Sequence, residues 1–267
     1  MYAFNYQNPA SNAAAIAAVK GDARYLAGGQ SLVQAMKLRL SQTGTLVDLN
    51  GITELKGITV AGGKVIIGAM TRHSEVARSA DVKKALPALA DLAGGIGDQM
   101  VRNMGTLGGS LANADPAACY PAAVLALGAT IKAALDQKER AINADDFFKG
   151  LFETALAPGE LITSVEFPVP ERAAYIKFKQ PASRFALVGV FVAKFGSTVR
   201  VAVTGAKSHV FRATDIEAAL TKSFTPEAAA AVKVSAAGMN GDMHGSAEYR
   251  AAMVSVMASR AVAKALA

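Results

Sequence analysis

The stretch GGIGDQMVRNMGTLGGSLANADP, residues 94–116, is the densest run of glycine and small polar residues in the chain. Inside it, Thr106-Leu107-Gly108-Gly109-Ser110 places two glycines between hydroxyl-bearing residues. A second segment, Ala27-Gly28-Gly29-Gln30-Ser31, has the same character and follows a predicted short strand, Arg24 to Ala27. Paired glycines let backbone N–H groups approach a ligand that a Cβ would hold off, and successive N–H groups form an anion nest. Gln30, Ser31, Thr106 and Ser110 add amide and hydroxyl partners suited to a pyrophosphate and a polyol chain. A helix beginning near Ser31 would aim its dipole at the same anion. Turns are also where glycine belongs, so either segment alone fits a simple turn. The common phosphate motifs are absent. Gly95-Ile96-Gly97 is followed by Asp98, Gln99 and Met100, without the third glycine of a dinucleotide fingerprint, and no P-loop occurs.

Working outward, residues 11–20 read as an alanine-rich helix capped by Ser11 or Asn12. Leu32 to Leu40 has helical spacing, Thr45 to Leu49 alternates as a strand, and residues 58–67 read as a glycine-turned hairpin. Helical patterns cover 74–80, 81–93 and 116–127. A second hairpin spans ATIKAALDQKERAINA, residues 129–144, and Leu161 to Phe167 alternates as a strand. Pro168-Val169-Pro170 is the strongest boundary, because two prolines in three residues end regular structure. Beyond it, YIKFKQ and ALVGVFVAKFGSTVRVAVTGA predict three antiparallel strands with a Gly196-Ser197 turn, followed by helices at 214–222, 226–237 and 246–265. This order predicts an α+β fold.

With 267 residues, the chain has room for roughly two domains. Apolar residues make up 52% and charged residues 18%, which excludes disorder and provides a substantial core. The formal charge of +7 comes from scattered Lys and Arg with no run of four, which argues against nucleic acid. An acidic cofactor or simple solubility accounts for it better. One cysteine excludes an internal disulfide, a four-cysteine iron–sulfur cluster and a zinc ribbon. It also makes a reducing, cytoplasmic location the natural expectation. The N-terminus lacks the pattern of a signal peptide, and no window nears the roughly 18 apolar residues of a transmembrane span. His73, His209 and His244 show no ligand spacing, so no metal site is expected.

The motifs AGGQSL (27–32) and RNMGTLGGSLANADPAA (102–118) resemble the two FAD-binding signatures of the xanthine dehydrogenase and carbon monoxide dehydrogenase flavoproteins, the medium subunits of molybdenum hydroxylases. The likeness continues through IGAMTRHSEV (67–76), PGELITSVEFP (158–168), YIKFKQPASRFALVGV (175–190) and GSAEYRAAM (245–253). It implies a PCMH-type FAD-binding domain of two subdomains over residues 1–170. A smaller C-terminal domain, residues 171–267, would hold a three-stranded antiparallel sheet plus helices.

On the same resemblance, Tyr25, Leu26, Ala27, Gly28, Gly29, Gln30, Ser31 and Leu32 match the loop that holds the FAD pyrophosphate. Thr106, Leu107, Gly108, Gly109 and Ser110 match a second loop near the flavin and ribityl chain. Ile96 and Ile162 fall at cleft-lining positions, Asp115 lies beside the cofactor, Lys179 matches a lysine near the flavin, and Phe185 falls where an aromatic covers the isoalloxazine. Read without the family, Ile96, Ile162 and Phe185 fit ordinary core packing. Lys179 fits a solvated edge-strand lysine, and Asp115-Pro116 fits a helix start.

Two departures stand out. Cys119 occupies a position where relatives often carry an acid that binds ribityl hydroxyls. A thiol is a poor acceptor, so Cys119→Asp is expected to strengthen FAD binding. Arg184-Phe185 replaces Asp-Tyr or Asp-Phe, which alters charge near the flavin.

The implied role is an FAD-dependent electron-transfer subunit of an oxidoreductase. It would work with a small [2Fe–2S] subunit and a large molybdopterin subunit, as a dimer of heterotrimers, and no residue of this chain would serve as a catalytic acid or base. A stand-alone flavin-dependent oxidoreductase and a cofactor-free interaction module are the competing readings. The substrate is chosen on another chain, so carbon monoxide, a purine, another N-heterocycle or an aldehyde all fit.

Overall fold

A computed structural model describes residues 1–136 and 138–267. The chain opens as two consecutive strand–helix units. Strands β1 (Asn5–Gln7), β2 (Ala23–Leu26) and β3 (Thr45–Asp48) form a parallel sheet ordered β1-β3-β2. Helices α1 (Asn12–Ala18) and α2 (Leu32–Lys37) make the connections. The Ser11 hydroxyl caps α1 by accepting from the Ala14 N–H at 3.2 Å. Ala15, Ile16, Val47, Leu49 and Ile52 form the core of this first lobe.

The second lobe begins with the hairpin β4 (Ile58–Ala61) and β5 (Lys64–Gly68). Next come α3 (His73–Arg78), α4 (Ala80–Ala85), α5 (Pro87–Gly94), α6 (Gln99–Met104), α7 (Leu107–Asn113) and α8 (Tyr120–Leu127). A second hairpin, β6 (Thr130–Leu135) and β7 (Lys138–Asn143), follows, its turn including Gln137, which lies outside the described residues. The lobe ends with α9 (Ala144–Phe147), the small pair β8 (Phe148–Gly150) and β9 (Glu153–Thr154), and the long strand β10 (Leu161–Pro168). The main sheet runs β4-β5-β10-β6-β7 and is antiparallel throughout.

The last lobe holds β11 (Arg172–Lys179), β12 (Ala186–Phe195), β13 (Thr198–Thr204) and β14 (Phe211–Arg212). The expected three strands are therefore joined by a fourth, two-residue strand, in the order β11-β12-β13-β14. Helices α10 (Thr214–Lys222), α11 (Pro226–Ala230) and α12 (Ala247–Leu266) follow. The helix expected over 226–237 stops at Ala230. Val232 and Val234 instead pack against the C-terminal core, and the Val232 carbonyl accepts from the Ser255 hydroxyl of α12 at 2.6 Å. Burial here overrides the helical preference of an alanine-rich run.

Helix α8 joins the lobes. Every residue from Tyr120 to Leu127 is buried, and the helix packs against β10 on one side and β12 and β13 on the other. A helix apolar all round must lie inside a core. The main core accordingly extends past Pro168 and Pro170 to Tyr175, Phe191 and Ala202. No helix among the described residues is long and apolar enough to cross a membrane.

Candidate cofactor cleft

A cleft of about 740 Å³ opens where the three lobes meet, within the roughly 300–1,000 Å³ typical of small-molecule sites. It is lined by Tyr25 to Ser31 and Leu32, by Ile96, by Thr106 and Gly108 to Ser110, and by Asp115, Cys119, Ile162 and Phe185. Of the residues singled out by sequence, only Leu107 and Lys179 lie off its wall.

The first glycine motif is an open donor array. Among the described residues, none of the backbone N–H groups of Gly28, Gly29, Gln30, Ser31 and Leu32 finds an acceptor. The last of them are the free amides of the α2 N-terminus, and five unpaired N–H groups in succession on a cleft wall make an array suited to an anion. The turn that exposes them needs its glycines. Gly29 has φ +70°, and a Cβ on Gly28 would overlap the Met104 carbonyl. Tyr25 anchors the start of the turn, donating its hydroxyl to the Gly159 carbonyl at 2.8 Å. Burial pushes that phenol up to about 12, so it stays a neutral donor.

The second motif does different work from the nest expected of it. Thr106 caps α7, and Leu107 to Ser110 form its first turn. Each amide in the run is already used. Leu107 N–H donates to Thr71 O, Gly108 N–H to Ala69 O, Gly109 N–H to the Thr106 hydroxyl and Ser110 N–H to Thr106 O. The two glycines instead allow close packing. A Cβ on Gly108 would come 2.6 Å from the Ala69 methyl, and one on Gly109 would come 3.2 Å from that of Ala27. The glycine pair thus presses α7 against the end of β5 and against the first motif, leaving the Ser110 side chain on the cleft wall.

From the opposite side, β10 contributes Ile162 beside a register shift between Ile162 and Ser164, and such bulges re-aim side chains. Asp115 holds its own turn, accepting from the Ala117 N–H at 2.8 Å. Cys119 caps α8 and is 5% exposed.

The lysine on the cleft is Lys177. Its ammonium donates to Gly95 O (2.9 Å) and Arg184 O (2.7 Å) and lies 3.3 Å from Cys119 Sγ. Simple alternation would put Lys177 and Lys179 on one face. Lys179, the last residue of β11, is nevertheless exposed; the register shift beside it falls in β12, where Leu187 is the extra residue between the partners of Phe178 and Lys179. Arg184 is exposed at the rim, with φ +64°, next to Phe185.

Sequence reasoning also passed over His73 and Glu160. His73 is 5% exposed on the cleft wall, its ring 5.3 Å from that of Tyr120, and its Nδ1 has no partner among the described residues. Burial, helped by the Arg102 charge, lowers its pKa to about 4, so the ring is neutral. Glu160 is gripped by Arg140 through two 2.6 Å bonds and accepts from the Ala157 N–H. The Arg140 bonds hold its carboxyl below the usual range. A long-range ion pair to β7 carries no local sequence signal, which is why it was missed.

The donor set therefore suits FAD: free amides for a pyrophosphate, small polar side chains for a polyol, and an apolar wall with an aromatic for a ring system. Comparison with known proteins agrees. Residues 2–170 match the family described as the FAD binding domain in molybdopterin dehydrogenase. The nicotine 6-hydroxylase medium subunit of Paenarthrobacter nicotinovorans is 36% identical, over 98% of this chain and 97% of its own. The carbon monoxide dehydrogenase medium chain of Hydrogenophaga pseudoflava is also 36% identical, over 97% and 96%. Reconstituted CO dehydrogenase from Oligotropha carboxidovorans superposes with a TM-score of 0.91 at 34% identity, covering 99% of this chain and 98% of that one. The chain belongs to the FAD-binding medium subunits of the molybdenum hydroxylases. FAD is the cofactor of this family, and the family's members are oxidoreductase subunits.

Proposed function

We propose that this chain is the electron-transfer subunit of a heterotrimeric molybdenum hydroxylase. In this reading it takes electrons from [2Fe–2S] clusters of a small partner and passes them to an external acceptor, while a large molybdopterin partner oxidises the substrate. The observation that carries the reading is the run of five unpartnered amides from Gly28 to Leu32 on the wall of a cleft shared by three lobes.

Bound FAD supplies the conversion between electron pairs and single electrons. The chain's own residues hold and shield it. Residues 28–32 would bind the pyrophosphate, Ser110 and Asp115 would hold the polyol, and Ile96, Ile162 and Phe185 would exclude water from the ring. Lys177, which lines the cleft, would supply a positive charge on its wall, whereas Lys179 lies off the wall. A division into residues 1–170 and 171–267, a cytoplasmic location and assembly as a dimer of heterotrimers complete the proposal.

The test is the visible flavin absorbance of the purified chain, with FAD added and with the co-expressed partners present. Absence of flavin under every condition, partners included, overturns the reading. Full-rate substrate oxidation by the chain alone would favour a stand-alone oxidoreductase instead.

A further inference from the structure

Helix α12 buries an arginine in its first turn. Arg250 is 3% exposed, and one guanidinium nitrogen donates to Leu187 O (2.6 Å) and Gly205 O (3.0 Å), at the ends of β12 and β13. Its other terminal nitrogen meets both carboxylate oxygens of Asp242 at 2.7 Å. A buried charge is costly, and an apolar side chain would fill a core position as well. What the pair adds is placement of the segment 240–245.

That segment is a tight strap with little packing of its own. Met243, at its apex, is 93% exposed. Asp242 and Gly245 exchange two backbone hydrogen bonds, and Asn240 N–H donates to Ala206 O. Asp242 Oδ1 also accepts from the His244 N–H at 2.8 Å, so the carboxylate held by Arg250 fixes the backbone at His244. The His244 ring then stands edge-on to Phe185, with centroids 5.6 Å apart and planes at 75°. Phe185 is on the cleft wall. Its loop is closed by Arg184 N–H to Gln180 O, Gln180 N–H to Phe185 O and Ser183 N–H to the Gln180 side chain.

We infer that Asp242 and Arg250 are positioning residues that, through His244, hold Phe185 against the cofactor cleft. Lys177 grips the loop backbone from within the cleft, and the strap grips the Phe185 ring from outside. The strap is thus an outer latch on the cleft wall, although it lies more than 50 residues from Phe185 in sequence and contributes no atom to the wall.

The flavin arm of the test rests on the proposed function, whereas the exchange arm does not. In the full chain without added FAD, amide hydrogen exchange is followed at Gln180, Ser183 and Arg184 and at the hydrogen-bonded amides of residues 107–110. Asp242→Asn and His244→Ala are expected to speed exchange at the first three amides roughly tenfold, leaving 107–110 unchanged, and His244→Phe to restore protection. His244 is exposed, so His244→Ala keeps the test decisive if Asp242→Asn fails to fold. Unchanged exchange at Gln180, Ser183 and Arg184 in folded His244→Ala overturns the inference. With FAD present, His244→Ala should alter the shape of the visible flavin band, and His244→Phe should return it. A flavin band unmoved by His244→Ala removes the latch from the cofactor site. Loss of flavin binding in the parent chain refutes the functional reading and leaves the exchange result standing.

Discussion

The ammonium of Lys177 stands 3.3 Å from the sulfur of Cys119, joining β11 of the last lobe to the cap of the central helix. The same nitrogen holds carbonyls of Gly95 and Arg184, so one side chain ties three separate segments at the cleft. Lys177→Met keeps the stem and removes all three contacts. The expected result is a loss of about 1–3 kcal/mol in denaturant unfolding, together with weaker FAD binding by fluorescence titration. A variant matching the parent in both would show that these contacts are incidental.

Cys119→Asp places a carboxylate beside that ammonium. The substitution should tighten FAD binding by roughly fivefold, the worth of about one net hydrogen bond. Equal affinities in variant and parent would mean that Lys177 takes up the new charge and leaves none for the cofactor.

The first glycine motif should be intolerant of a methyl group. Gly29→Ala forces an L-residue to φ +70° and brings its Cβ 3.0 Å from Val33 Cγ2, at a cost of about 1–2 kcal/mol. Gly28→Ala meets backbone at Met104 and Gly105 and must shift the turn itself. It should weaken FAD binding at least tenfold, about the loss of one or two of the free amide contacts, while circular dichroism stays near the parent's.

Acid should destabilise the chain through His73. Its pKa lies near 4 when folded, against 6.5 for an ordinary histidine, so only the unfolded chain binds this proton between those values. Stability from this group is therefore complete above about pH 6.5 and is lost as the pH falls towards 4, by about 3 kcal/mol in all. His73→Leu should flatten this limb of a plot of melting temperature against pH. A limb of unchanged depth would assign it to the carboxylates.

Much of the cleft was legible because its signals are local. The glycine doublets and the flanking hydroxyls are each read within a few residues, and all but two of the named site residues do line one cavity. What escaped depends on geometry that no short window holds. The glycines at 108 and 109 looked like a nest, but their amides are consumed by Ala69 and Thr106, residues whose proximity comes only with the packing of α7. Lys177 reaches the cleft while Lys179, two residues on, stays exposed at the end of β11, and neither placement has a signal in the run YIKFKQ itself. His73 and Glu160 carry no motif, and their importance comes from burial on the cleft wall and from Arg140 twenty positions away.

A cleft whose wall is drawn from β2, α7, β10 and the loop before β12 has no floor in any one lobe. A ligand that filled it would touch every lobe at once, and its binding free energy would add to the folding free energy of the whole chain by mass action. Cells short of flavin would then hold less of the folded subunit at the same rate of synthesis. Vitamin supply would act as a control on the abundance of the protein as well as on its activity.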